Sequence, residues 1–166
     1  MQNTKNPLIF VVEDNHIYNK LVVSYLKTHK FTKVESYLTG EEALKNMHKN
    51  PDIVIQDYLL DGMTGIEVLI KAKKIHPKVE FIFLSGNDKI DIAINTMKYG
   101  AYNYIVKDQM ALQKLVEAIH KIDSTTELVK TKNTLKLGVI LFFVGLGILI
   151  VITLVMAIKF PQVFGF

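Results

Sequence analysis

Cysteine is absent from this chain of 166 residues, which excludes disulfides, thiol nucleophiles and zinc–thiolate sites. Arginine is absent as well, since all 20 basic residues are Lys. An arginine finger and the bidentate guanidinium fork are therefore ruled out. No Gly-rich loop follows the first apolar run, so a nucleotide-binding Rossmann domain is a poor fit. The net charge of +4 is small and the Lys residues are scattered rather than striped, so no nucleic-acid partner is expected. His16, His29, His48, His76 and His120 fall in no metal or kinase pattern and read as surface or packing residues.

Charge is missing altogether from Leu137 to Ile158, "LGVILFFVGLGILIVITLVMAI". At helical rise that stretch covers roughly 33 Å, against a hydrocarbon core of about 30 Å. A buried core helix of this length rarely lacks a polar face, so a single transmembrane helix over 137–158 is the stronger expectation. It is no signal peptide, because it lies late in the chain. Lys130, Lys132 and Lys136 flank one side and Lys159 stands alone on the other. The positive-inside rule then places the preceding domain in the bacterial cytoplasm. Gly138, Gly145 and Gly147 form no GxxxG pair, so no helix-dimer motif is read.

Before that span the hydrophobic period switches repeatedly between strand and helix. "LIFVV" at 8–12 is a near-continuous apolar run, the mark of a strand covered on both faces. A helix follows over about 15–29. Strands are expected at 31–37, 52–56, 79–85 and 102–106, with helices over 40–49 behind an N-cap at Thr39, over 66–75, from Asp88 to a left-handed cap at Gly100, and from Asp108 or Gln109 to at least Ile122. Five strand–helix units with short loops predict an α/β fold, a (βα)5 doubly wound five-stranded parallel sheet of the flavodoxin-like kind. The domain limits are then an extension at 1–6, the domain at 7–122, a linker at 123–136 that could continue the fifth helix, the span at 137–158 and a tail at 159–166.

"PDIVIQDYLLDGMTG" carries the chemistry. A buried strand ends on Asp57, and a carboxylate at a core edge is costly unless something pairs with it. It either caps a turn or sits in a site that needs its charge. In open parallel sheets ligands bind outside the carboxyl ends of the strands. Glu13 and Asp14 follow the first strand, Asp57 the third, Ser85 and Gly86 the fourth, and Lys107 the fifth, three residues past Tyr104. Three carboxylates on one rim repel unless a hard divalent cation lies between them, Mg²⁺ by preference. A hydroxyl and an ammonium nearby suit phosphoryl oxygens. Each residue alone has an ordinary structural explanation, as a cap, a turn or a surface Lys. Their joint order is what points to a site.

"VVEDN", "DYLLDGMTG", "FLSGN" and "GAYNYIVK", with their intervals, resemble the receiver domain of two-component response regulators over 7–122. The resemblance implies that Asp57 is the phosphoacceptor. Glu13, Asp14, Asp57 and the backbone carbonyl of Leu59 would hold Mg²⁺. Lys107 and Ser85 would meet the phosphoryl oxygens, Tyr104 would turn inward on switching, and Gly86 would leave room for the donor. It further implies a sensor histidine kinase or phosphotransfer protein as donor, and an output partner on the face of the fourth helix, fifth strand and fifth helix. No enzyme activity is implied beyond self-phosphorylation and self-dephosphorylation.

The chain departs from the family pattern in three places. Asp108 stands after Lys107 where Pro joined by a cis bond is usual, which leaves a trans bond open. Asp61 stands where Pro is frequent. Apolar Leu59 cannot orient a hydrolytic water, whereas Asn87 could. The expected whole is a membrane-anchored single-domain response regulator acting through protein contacts. A phosphate sink or relay intermediate, and a non-phosphorylatable pseudo-receiver scaffold at the membrane, are the alternatives.

Overall fold

Strands form here because short runs of β-branched and aromatic residues are each cut off by turn residues. The computed structural model describes residues 6–159, with side chains at 6–124, 139–148 and 151. The strands are β1 (Ile9–Val12), β2 (Val34–Tyr37), β3 (Ile53–Gln56), β4 (Glu80–Ser85) and β5 (Asn103–Val106). Helices α1 (His16–Thr28), α2 (Gly40–Lys45), α3 (Gly65–Ile75) and α4 (Ile90–Lys98) alternate with them, and α5 runs Ala111–Lys159. All pairings are parallel and the order is β2-β1-β3-β4-β5. The five-stranded sheet expected from the alternation is present, with β2 at an edge.

The period of two along each strand divides the apolar side chains between two cores. Ile9, Val11, Ile53, Ile55, Ile82, Leu84 and Ile105 pack with Val22 and Leu26 of α1 and with Leu115 and Ile119 of α5. Phe10, Val12, Val54, Phe81 and Phe83 pack with Ala43 of α2 and with Val68, Leu69 and Ala72 of α3. This is why the strands read as continuous hydrophobic runs.

Several boundaries differ from expectation. The second strand begins at Val34, because Lys30 turns the chain with φ 69° and Phe31 leaves the sheet to enter the core beside α1 and α5. The second helix stops at Lys45, and a 3₁₀ turn over Met47–Lys49 follows, anchored by buried Met47 and ended by left-handed Asn50. The fourth helix starts at Ile90 rather than Asp88, since Asn87 Oδ1 takes the Lys89 N–H in a local turn. Gly100, at φ +92°, ends α4 in the left-handed cap that the sequence suggested. Asn15 caps α1 by accepting from the N–H groups of Ile17 and Tyr18, both at 3.0 Å.

Gly65 lets α3 approach the end of β3. A Cβ there would lie 2.6 Å from the Asp57 carbonyl oxygen, 2.8 Å from Phe83 and 3.2 Å from Tyr58 Cα. Two of those atoms are backbone and cannot rotate away. Gly65→Ala is expected to cost about 1–3 kcal/mol in a urea titration, the usual range for overpacking. Gly86→Ala is the matched control, because a Cβ at Gly86 meets no atom within 4 Å.

The chain divides into two units, Met1–Asp123 and Ser124–Phe166. The first holds the sheet and both cores. In the second, the described side chains at 139–148 and 151 are all exposed. They include Phe142 at 67 % and Phe143 at 63 %. Residues 123–136, read as a linker, lie within the bounds of α5. Among the described residues no helix is long and apolar enough to cross a membrane. The longest run of described side chains in the apolar segment, 139–148, spans about 15 Å of helix. The rest of the expected span, at 137, 138, 149, 150 and 152–158, lies outside the described side chains, and residues 1–5 and 160–166 of the terminal segments lie outside the described residues.

Candidate functional site

Parallel strands bring their carboxyl ends to one rim, and the chain changes direction across the sheet between β1 and β3. A crevice opens at such a switch point. Glu13 and Asp14 leave β1 on one side of it, and Asp57 leaves β3 on the other. Glu13 is 3 % exposed and Asp57 8 %, while Asp14 is half-buried. One carboxylate oxygen from each lies within 4.8 Å of the others. Carboxylate oxygen donors at that spacing, with no sulfur or imidazole among them, suit a hard divalent cation.

Lys107 closes the site from β5. Its Nζ donates to Glu13 Oε2 and to Asp57 Oδ2, each at 2.7 Å. Its own N–H bonds to the Ser85 carbonyl at 2.7 Å, which ties the root of the side chain to the end of β4. No peptide bond among the described residues is cis, so the Lys107–Asp108 link is trans and the side chain still reaches both carboxylates. Asp108 turns outward, where its Oδ1 accepts the Met110 N–H at 2.8 Å ahead of α5.

Burial pushes the Glu13 carboxyl above its ordinary value of 4.5. The Lys107 hydrogen bond opposes this and the Asp57 charge adds to it. Burial pulls the Lys107 ammonium down, but the bonds to Asp57 and Glu13 outweigh it and leave the group above 10.5. The linkage signs follow from these directions. Lys107 stabilises the fold fully below 10.5 and ceases to do so as pH rises through its folded value. A carboxyl raised by folding binds extra protons when folded. Glu13 therefore adds stability as pH falls from its raised value toward 4.5 and removes it as pH rises through the same window.

The surrounding backbone holds the acids in place. The Leu59 N–H donates to Asp57 Oδ1 at 3.2 Å, which brings the Leu59 backbone to the rim while its side chain stays 63 % exposed. The Asp61 N–H donates to Asp14 Oδ2 at 3.3 Å, a bond that Pro at this position could not make. The Asp61 side chain is exposed.

Two framing residues were not singled out from the sequence. Buried Asn19 donates through Nδ2 to the carbonyls of Glu13 and Tyr37, at 3.1 and 3.2 Å, and so joins the ends of β1 and β2. Its signal was a polar residue on the inward stripe shared with Val22 and Leu26. Gln56, fully buried, donates to the Asp57 carbonyl at 3.0 Å, and its Oε1 has no partner. Nothing in a strand ending Ile-Gln-Asp marks that role.

The remaining site residues cluster at the ends of β4 and β5. Buried Ser85 accepts the Asn87 N–H at 3.2 Å. Asn87 Oδ1 in turn accepts the Lys89 N–H at 3.0 Å. Tyr104 is half-buried, stacks on Phe83 with centroids 6.3 Å apart, and donates from its hydroxyl to the Asn87 carbonyl at 2.7 Å. Gly86 borders open space.

Comparison with known proteins agrees with this geometry. Residues 9–120 match the response regulator receiver domain family. The chain belongs to that family. It is 33 % identical over 119 residues to the luminescence regulatory protein LuxO of Vibrio campbellii, covering 71 % of this chain and 26 % of that protein. It is 28 % identical over 131 residues to the C4-dicarboxylate transport transcriptional regulatory protein DctD of Rhizobium meliloti, covering 78 % and 28 %. A response regulator receiver domain from Clostridium thermocellum superposes with a TM-score of 0.66 at 28 % identity, covering 73 % of this chain and 97 % of that one. The chain spans about a quarter of the length of the curated relatives it matches. Receiver domains of two-component systems bind Mg²⁺ through acidic residues and exchange phosphoryl groups with sensor histidine kinases or phosphotransfer proteins.

Proposed function

We propose that this chain is a membrane-anchored receiver that accepts a phosphoryl group on Asp57 from a histidine kinase or phosphotransfer protein. The observation that carries the reading is the Asp57 carboxylate, 8 % exposed and held by an ammonium at 2.7 Å beside two further acids. An Asp57 oxygen attacks phosphorus, and the new O–P bond forms as the P–N bond to the donor imidazole breaks. Lys107 holds negative oxygen as a point charge and Ser85 supplies a hydroxyl donor. Glu13, Asp14, Asp57 and the Leu59 carbonyl would hold Mg²⁺, which offsets the charge gathered on the reacting oxygens.

Output is proposed at α4, β5 and α5. An open cleft of ≈ 830 Å³ follows β5 and α5, lined in part by Tyr102, Tyr104, Lys114 and Glu117. On α4, Ile90, Ile94 and Met97 are 74, 48 and 47 % exposed, an apolar stripe that a protein partner would cover. Membrane anchoring is supported by the charge-free run 137–158 and by the exposed apolar side chains at 139–148. The Lys residues ahead of the run support a cytoplasmic receiver.

The test is phosphoryl uptake by the full-length chain in membrane vesicles, with Mg²⁺ and a small phosphodonor, read as intact mass. One added phosphoryl group is expected, with the chain resisting a carbonate wash and a set of captured proteins that changes on phosphorylation. Uptake with no change in captured proteins supports a phosphate sink or relay. Absence of both uptake and Mg²⁺ binding supports the scaffold reading.

Protons and Mg²⁺ compete for Glu13. Mg²⁺ affinity is expected to weaken on acidification already above pH 4.5, because burial has raised the Glu13 carboxyl. Calorimetric titration at a series of pH values measures this. In Glu13→Gln the part of this acid sensitivity that Glu13 contributes should be lost.

A further inference from the structure

The Lys107 ammonium has a third neighbour besides its two carboxylates. Its Nζ lies 4.5 Å from the centroid of the Tyr18 ring. Tyr18 sits in the first turn of α1, directly after the acidic pair, and the Asn15 cap takes its N–H. The ring packs at the margin of the core formed with α5. The backbone of Tyr18 is therefore held by the helix cap and its ring by the core, with a face toward the ammonium.

We propose that Tyr18 is a positioning residue for Lys107, acting through the face of its ring. The inference rests on the reading of Lys107 as the phosphoryl-binding ammonium. Of the three neighbours, Glu13 and Asp57 are also the groups on which a divalent cation would draw. The ring is the one neighbour for which such a cation does not compete. Lys107 has three flexible methylenes beyond Cβ and would otherwise have many rotamers open to it. A desolvated cation over an aromatic face is attracted by the ring quadrupole, and the attraction needs no hydroxyl. The Tyr18 face thus confines Lys107 beside Asp57 without taking a carboxylate from the metal site.

The test uses the full-length chain in detergent micelles. In metal-free protein, side-chain proton resonances of Lys107 should lie upfield of the other lysines through the ring current of Tyr18. Tyr18→Phe should keep that displacement and the phosphorylation rate. Tyr18→Leu should lose the displacement and slow phosphorylation by about threefold to thirtyfold, the range of a partly desolvated cation–π contact. Pentafluorophenylalanine at Tyr18 keeps the ring shape and reverses its face charge, so it should slow the reaction like Tyr18→Leu while thermal stability stays near that of Tyr18→Phe. Three results would overturn the proposal. They are an unshifted Lys107 in the wild-type chain, equal rates in the phenylalanine and pentafluorophenylalanine forms, or a Tyr18→Phe loss as large as that of Tyr18→Leu. If no form takes up phosphate, the phosphoacceptor reading itself fails, and the Lys107 resonances still decide whether the ring holds the ammonium.

Discussion

Asp57→Asn is expected to abolish phosphoryl uptake, from one group per chain to none, as read by intact mass after exposure to phosphodonor and Mg²⁺. The substitution keeps the size of the side chain and an oxygen for the Leu59 N–H, which now donates at 3.2 Å. It would remove the proposed anionic nucleophile and one of the three clustered carboxylates. Lys107 would be left with Glu13 alone among the acids, still at a bonded separation of 2.7 Å. Loss of the Asp57 charge also removes one of the influences that raise Glu13. The fold itself should persist, because both cores lie elsewhere on the sheet. A residual phosphoryl group on the variant would move the acceptor to Glu13 or Asp14 and refute the assignment.

Lys107→Met should have the second largest effect, and the size of its stability loss depends on metal. Glu13 and Asp57 are 3 and 8 % exposed and would lose their common cation. Breaking a fully buried pair costs about 3–5 kcal/mol, and the partial exposure of Lys107 reduces this to roughly 2 kcal/mol. In metal-free buffer near neutral pH the urea midpoint should fall accordingly. Mg²⁺ should then restore more stability to the variant than it adds to the wild type, since no ammonium competes for the same oxygens. Phosphoryl uptake should drop by at least about tenfold for want of a charge at the transferred oxygens. A variant that matches the wild type in uptake and in its response to Mg²⁺ would reduce Lys107 to a plug for two buried acids.

The sheet was legible because its signals are local. Near-continuous apolar runs such as "LIFVV" require cover on both faces, and hydroxyl or amide caps such as Asn15 and Thr39 mark where helices start. Boundaries were less legible where a tertiary contact overrode the local pattern. Phe31 reads as strand, yet the core beside α5 draws it out of the sheet. Met47 reads as helix, yet its burial tightens the chain into a 3₁₀ turn.

The site divides in the same way. Glu13, Asp14, Asp57, Ser85 and Lys107 could be gathered from the sequence, because strand order alone carries their ends to one rim. Asn19 and Gln56 could not, since their roles are bonds to backbone carbonyls that only the assembled sheet places within reach. Tyr18 is similar: nothing in the sequence singles it out, and only the fold lays its face beside an ammonium 89 positions later, counting from 18 to 107.

By itself, then, the sequence determined which chemical groups this protein has and along which strand ends they fall. Absent Cys and Arg, an alternating period and five charged or hydroxyl residues in order are properties of the chain and survive any arrangement of it. The tertiary structure alone decided how those groups are poised. It buried Glu13 enough to raise its carboxyl, made Lys107 a bridge between two acids with a trans bond to Asp108, and laid Tyr104 against Phe83. Burial, distance and hydrogen-bond direction are relations between residues far apart in the chain. They have no value until the sheet closes those separations.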